Sequence, residues 1–176
     1  MNNIINVSDR REIPFSYAYY DFIGEKDQHS LLSWATSISK ELKRNQSSPG
    51  RYFAMFSELS TVPDVVYSIK KSIESLIDKP FLYDTNFTDF LSFNMRSASI
   101  HPHKDPNLDG YTHTRFNLLI SVPESGGNPI YNGTEFKIQE RMLWRCEAGK
   151  YEHASTPVIG TKPRINISFG FQIKND

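Results

Sequence analysis

The sequence predicts a mainly β protein, an antiparallel sandwich or barrel, with supporting N-terminal helices. Three observations predict it. From about residue 81 onward, short β-rich runs alternate with turn residues, the pattern of many strands joined by tight connections. Before residue 80, two stretches repeat apolar side chains at helical spacing. The 176 residues are 38% hydrophobic and 13% aromatic, which suffices for one buried core and leaves too little chain for two. Residues 1–176 are therefore expected to form a single domain, with helical support at about 26–79 and the β core at about 81–173.

Taken in order, Leu31, Leu32, Trp34, Ala35, Ile38 and Leu42 predict a helix over 26–44. Residues 45–50, Asn-Gln-Ser-Ser-Pro-Gly, have the composition of a loop. Residues 51–56, Arg-Tyr-Phe-Ala-Met-Phe, predict a strand. Val65, Val66, Ile69, Ile73, Leu76 and Ile77 predict a second helix, with Thr61 as N-cap, Pro63 and Asp64 in the first turn, and Pro80 as the stop. The β-rich runs lie at 89–100, 115–122, 134–138, 142–146 and 164–173. Asp109-Gly110, Gly126-Gly127-Asn128-Pro129 and Asn132-Gly133 mark turns between them.

Composition narrows the class. Twenty basic and twenty acidic side chains give no net charge, so no overall electrostatic footprint for nucleic acid or an anionic membrane is expected. The single cysteine, Cys146, cannot form an internal disulfide and reads as a small core residue beside Trp144. Residues 1–8 are polar and lack the apolar segment of a secretory leader. No apolar run approaches the length of a membrane span. A soluble, cytoplasmic protein is expected, and the sequence says nothing of oligomeric state.

The chemistry starts at residues 101–106, His-Pro-His-Lys-Asp-Pro. Side chains alternate along a strand, so His103 and Asp105 would share one face and grip one metal ion. A His-x-Asp pair alone is weak. His153 is the candidate third ligand. Two histidines and one carboxylate are the facial donor set of mononuclear non-haem Fe(II) sites, which leaves one face of the octahedron open. His101 and His113 read as ordinary surface or loop histidines, and His29 lies in a polar helical context.

Arg164 begins a strand in which Arg164, Asn166 and Ser168 share one face and Ile165, Ile167 and Phe169 the other. A buried polar row of this kind is costly in a plain core. It is explained if that face lines a cavity for an anion, because guanidinium binds carboxylate through two charge-assisted hydrogen bonds. Arg115 and Asn117 repeat the pattern against Phe116, Leu118, Ile120 and Val122. Arg115 is a candidate for holding a carboxylate, of a co-substrate or of a substrate, against the plainer reading of a strand with its polar face in water. Gly126-Gly127 reads as a turn and not a phosphate cradle, since no Lys-Ser/Thr follows it.

Residues 93–171 resemble the catalytic core of 2-oxoglutarate/Fe(II)-dependent dioxygenases, closest to the prolyl-hydroxylase-like and aspartyl/asparaginyl β-hydroxylase-like branches. The resemblance rests on the order and spacing of residues 101–106, 115–123, the Gly126-Gly127 pair, 147–158 and 164–171. It covers a little under half of the chain. It implies a double-stranded β-helix (jelly-roll, cupin-like) with Fe(II) on His103, Asp105 and His153, and with 2-oxoglutarate and O2 as co-substrates. It assigns Arg164 to the distal carboxylate of 2-oxoglutarate, with Ser168 or Asn166 as helper; the family often has Arg-x-Ser where this chain has Arg164-Ile165-Asn166. Halogenases of this kind replace the carboxylate ligand by a small residue, so Asp105 points to hydroxylation.

The reaction implied is oxidation of an unactivated C–H bond coupled to conversion of 2-oxoglutarate to succinate and CO2. By analogy with the nearest branches, the substrate is expected to be an amino acid or an amino-acid residue of a peptide or protein. Candidate contacts are Arg96, Arg115, Arg145 and Tyr131, each also an ordinary surface or packing residue, and Trp144 and Phe169 read as core. The competing readings are a cupin-like metal or 2-oxo-acid sensor without turnover, which would not require Arg164, and a structural β-sandwich whose histidines are incidental.

Overall fold

The chain alternates between two facing sheets, and that alternation places every residue of interest. The structure, a computed structural model, describes residues 5–85 and 88–175; residues 1–4 of the polar N-terminal stretch lie outside the described residues. A hairpin of β1 (Arg10–Ile13) and β2 (Ser16–Tyr19) opens the chain. α1 (Glu25–Ser37), a 3-10 turn at Ser39–Glu41, β3 (Lys43–Arg44) and β4 (Arg51–Met55) follow. A second 3-10 turn at Phe56–Glu58 leads to α2 (Asp64–Glu74). The β core then runs through β5 (Phe81–Tyr83), β6 (Phe90–Asn94), β7 (Ile100–His103), β8 (Tyr111–Ser121), β9 (Ser125–Gly126) and β10 (Pro129–Tyr131). It ends with β11 (Thr134–Glu135), β12 (Leu143–Cys146), β13 (His153–Ser155), β14 (Val158–Ile159) and β15 (Arg164–Lys174).

Both predicted helices form, and both are shorter than their apolar patterns. α1 buries Leu31, Trp34 and Ala35 but stops at Ser37 instead of near residue 44. Thr36 and Ser37 turn their hydroxyls back onto the carbonyls of Leu32 (2.8 Å) and Trp34 (2.7 Å), which competes with helix continuation. Ile38 and Leu42 are still buried, carried by the turn that follows. α2 buries Val66, Ile69 and Ile73, with Pro63 at its N-cap. Thr61 is not the cap; its carbonyl accepts the Trp34 indole N–H at 3.0 Å, joining the two helices.

The large sheet has the order β1-β2-β12-β8-β15-β6-β4-β3, with β5 also on β15. The small sheet is β11-β10-β13-β7, and β14 pairs with β9. Following the chain, β6, β8, β12 and β15 belong to the large sheet, while β7, β10 and β13 belong to the small one. This is a double-stranded β-helix, a jelly roll. Asn132 and Gly133, both at positive φ (48° and 78°), close the two-residue hairpin between β10 and β11. The β1–β2 hairpin was not legible in the sequence, because it joins the sheet through the distant pairs Leu143–Tyr19 and Trp144–Ala18.

The large sheet has two chemically distinct faces. Phe116, Leu118 and Ile120 of β8 and Ile165, Ile167, Phe169 and Phe171 of β15 pack with Leu31, Ile69 and Ile73 of the helices in one core. Fully burying each such side chain stabilises by about 1.5–3 kcal/mol. The alternate residues of the same strands face the small sheet. At one end of that interior Leu119, Tyr131, Phe136, Met142, Trp144 and Cys146 form a second core. Among the described residues, no helix is long and apolar enough to cross a membrane.

Candidate functional site

The small sheet brings two histidines together. β7 and β13 are antiparallel neighbours with His103 directly opposite His153. Opposed side chains share a face and stand close, and the two imidazole centroids are 4.2 Å apart. β7 ends at His103, so Asp105 lies in the following loop and strand alternation does not place it. Its backbone N–H donates to the carbonyl of Ala148 at 2.9 Å, which returns the carboxylate to the histidines. One donor atom from each of His103, Asp105 and His153 lies within 4.8 Å of the others.

Two of the three donors, His103 and Asp105, are held from behind. Nδ1 of His103 lies 2.7 Å from the carbonyl of His101. With the proton on Nδ1, the lone pair of Nε2 faces Asp105 Oδ1, 3.6 Å away. Burial, reinforced by the neighbouring His103 and opposed by Asp105, holds His153 down at about 4. Its imidazole is therefore neutral at neutral pH, the form that binds a metal ion. The second oxygen of Asp105 meets His113 Nδ1 at 3.3 Å and Arg115 Nε at 3.6 Å. Asp84 closes the network, with Oδ2 at 3.2 Å from His113 Nε2 and 3.3 Å from Arg115 Nη2.

This cluster sits on a cavity of about 470 Å³ between the two sheets, within the usual size of ligand sites. Ile100, His103 and His153 come from the small sheet; Phe53, Asn117, Trp144, Arg164 and Asn166 come from the large one. The cavity therefore uses the polar face that alternation on β8 and β15 identifies.

Arg164 is 3% exposed, and its Nη1 donates to the carbonyl of Gly127 at 2.9 Å. Gly127 has φ +65°, and a Cβ there would stand 3.1 Å from Pro123 and 3.2 Å from Val158, so only glycine lets the turn come this close. Nε of Arg164 is buried without a partner. Burial, then the nearby Arg51, lowers its guanidinium to about 10, still charged at neutral pH.

Asn166 lines the cavity, whereas Ser168 lies further along β15, its hydroxyl 3.5 Å from Arg115 Nη1. Arg115 lines the cavity too and is not on a wet face. The carboxylates beside it are the protein's own Asp84 and Asp105. Of the other candidate contacts, Arg96 is exposed, Arg145 pairs with Glu147 at 2.9 Å, and the Tyr131 hydroxyl accepts the Glu147 N–H at 2.7 Å. None of those three lines the cavity, and Phe169 is core. Trp144 belongs to the second core and also lines the cavity, with its indole Nε1 buried and without a partner. Cys146 lines it as well, and burial followed by Asp105 pushes its thiol up, leaving it protonated.

Three residues escaped the sequence reading. His113 is not a surface histidine; it is fully buried between two carboxylates. Its position two residues before Arg115 on one strand was the available signal, since alternation puts 113, 115 and 117 on one face. Arg51 opens β4 and lines the cavity with Phe53 and Met55, again by alternation. Asp84 carries no local signal, because only the fold brings it to His113.

No family model matches the sequence, and no curated protein is similar to it in sequence. Solved structures are similar in fold. HygX from Streptomyces hygroscopicus, solved with nickel, 2-oxoglutarate and hygromycin B bound, superposes with a TM-score of 0.69 over 90% of this chain and 82% of its own, at 8% identity. A prolyl-4-hydroxylase from Pseudomonas putida gives a TM-score of 0.68 over 90% and 92%, at 12% identity. The epimerase SnoN, in complex with Fe3+, alpha ketoglutarate and nogalamycin RO, gives 0.69 over 86% and 76%, at 12% identity. At these identities the likeness is one of fold: this chain shares the jelly roll of these three proteins.

Proposed function

We propose that this chain is a mononuclear non-haem Fe(II) oxygenase dependent on 2-oxoglutarate and O2, acting as a hydroxylase on an unactivated C–H bond of an amino acid or an amino-acid residue. The observation that carries the reading is the convergence of His103, Asp105 and His153 on a cavity that also holds the buried guanidinium of Arg164. The donor set suits the group: two imidazoles and one carboxylate on one side of an ion are the ligands of non-haem Fe(II) centres. The orphaned Nε of Arg164 suits a carboxylate, which takes two parallel hydrogen bonds from a guanidinium.

In this reading His103, Asp105 and His153 hold the iron and Arg164 holds the distal carboxylate of 2-oxoglutarate, with Asn166 beside it. Bound together, iron, 2-oxoglutarate and O2 supply the oxidising power, with succinate and CO2 as co-products. The chain's own part is placement. His113 Nδ1 and Arg115 Nε flank one oxygen of Asp105, leaving the other on the side of the ion. Phe53, Ile100 and Trp144 give the cavity apolar wall beside the candidate ligands. Asp105 fills the carboxylate position, which favours hydroxylation over halide transfer.

The test is anaerobic reconstitution with Fe(II) and 2-oxoglutarate, exposure to O2, and measurement of succinate, beside His153→Ala and Arg164→Ala. Succinate from the wild type alone is the expected result. Metal and 2-oxoglutarate binding without succinate, in the presence of an amino-acid and peptide panel, would make the chain a sensor module. Absence of metal binding would sink the reading.

A further inference from the structure

The cavity holds one more cation than the proposed reaction uses. Arg51 on β4 is opposite Asn94 on β6, and Asn94 is opposite Arg164 on β15. Directly opposed residues share a face, so the three form one row toward the small sheet. Asn94 is 2% exposed, and neither atom of its side-chain amide has a partner. Nε of Arg51 and Nε of Arg164 are likewise buried without partners. Among the described residues, no carboxylate lies within ion-pair distance of either arginine. Leaving two guanidiniums facing a cavity without counter-charge is unfavourable, and a bound anion relieves it.

Charge balance separates the two arginines. A divalent ion, Asp105, doubly charged 2-oxoglutarate and Arg164 together sum to zero. Arg115 and Asp84 cancel each other. Arg51 remains. Its guanidinium stays charged, lowered only to about 10 by burial first and Arg115 second, with Asp105 opposing.

The surroundings of Arg51 fit a ligand head group. Its guanidinium lies 5.6 Å from the ring centroid of Phe53 and 5.8 Å from that of Phe90, beside two aromatic faces. Asn45, Ser47 and Ser48 line the same cavity and offer hydrogen-bonding groups.

We propose that Arg51 anchors an anionic group of the substrate, so that the molecule oxidised is a small carboxylate-bearing compound whose carboxylate pairs with Arg51 while 2-oxoglutarate occupies Arg164. This inference rests on the oxygenase reading above and narrows its substrate class.

The experiment uses the whole chain loaded with Ni(II), which does not turn over, and saturating 2-oxoglutarate. Acetate is then titrated at constant ionic strength against neutral acetamide of the same shape, with thermal unfolding as the readout. Acetate is expected to raise Tm and acetamide is not. In Arg51→Gln the acetate effect falls by at least about tenfold in apparent affinity, the cost of a charge-assisted bond. Arg51→Lys keeps the charge without the fork and falls between the two; it also carries the test if Arg51→Gln does not fold. In Arg51→Gln, 2-oxoglutarate affinity stays within about threefold of wild type, while in Arg164→Gln it falls by more than about tenfold. No acetate-specific stabilisation in the wild type would overturn the proposal. So would a full acetate effect in Arg51→Gln, or equal loss of 2-oxoglutarate affinity in both glutamine variants, which would make the arginines one clamp. Failure of the wild type to take up 2-oxoglutarate, seen before any acetate is added, would remove the oxygenase reading and this inference with it.

Discussion

Nδ1 of His113 lies 3.3 Å from Oδ2 of Asp105, while the other oxygen of that carboxylate faces His103 at 3.6 Å. The two oxygens are thus divided between a supporting network and the candidate metal position. Burial, then Arg115, lowers the affinity of His113 for a proton, with Asp105 and Asp84 opposing; in its neutral form the imidazole has one N–H to give. Arg115 supplies the remaining donors to Asp105 and Asp84.

Replacing His113 by leucine should leave a folded protein whose Ni(II) affinity is lower by about 10–100-fold, the usual cost of losing a partner behind a metal ligand. Calorimetric titration reads this directly. An unchanged affinity would mean that Arg115 alone orients Asp105.

Metal binding itself should stabilise the native chain. With Ni(II) at about a hundred times its dissociation constant, linkage predicts about 2.7 kcal/mol. For a chain of this size that is a rise in Tm of about 5–10 °C. His153→Ala should abolish the rise, because His153 is one of the three converging donors. A rise of equal size in the variant would place the ion elsewhere.

Arg164→Lys keeps the charge and loses the planar fork. We expect 2-oxoglutarate affinity to fall by about tenfold, since an ammonium cannot make the two parallel bonds that a carboxylate takes from guanidinium. Nη1 of Arg164 also anchors the Gly127 carbonyl, so hydrogen exchange at residues 126–128 should quicken in the same variant.

Glu124 provides a pH-dependent brace for the turn that leads into β15. Its carboxylate takes hydrogen bonds from its own backbone N–H and from those of Thr161 (3.1 Å) and Lys162 (3.0 Å), and is held down to about 2. The folded value lies below the ordinary 4.5. Its contribution is therefore complete above pH 4.5 and is lost as pH falls from there toward 2. Amide exchange at Thr161 and Lys162 should accelerate across that window in the wild type. Glu124→Gln should show fast exchange at every pH, and identical profiles would exclude the brace.

Local pattern carried a large share of the fold and of the site. Alternation along β8 and β15 was sufficient to divide Phe116, Leu118, Ile165 and Ile167 from Arg115, Asn117, Arg164 and Asn166, because a strand's side chains have a strict period of two. Asn132-Gly133 announced its hairpin because positive φ is cheap for those residues. Helix ends were less legible: the apolar pattern runs on through Ile38 and Leu42, which are buried outside any helix.

What the sequence by itself determined was the β class and the polar rows along β8 and β15, and it offered His103, Asp105 and His153 as candidate ligands. What only the tertiary structure decided was which side chains meet across strands far apart in the chain. Strand register sets Arg51, Asn94 and Arg164 in one row, and the loop after β7 swings Asp105 onto His113, Arg115 and Asp84. Such partnerships are long-range electrostatic and hydrogen-bonding contacts, and no local spacing encodes them. Their energies depend on burial and distance, which exist only once the two sheets have closed over the cavity.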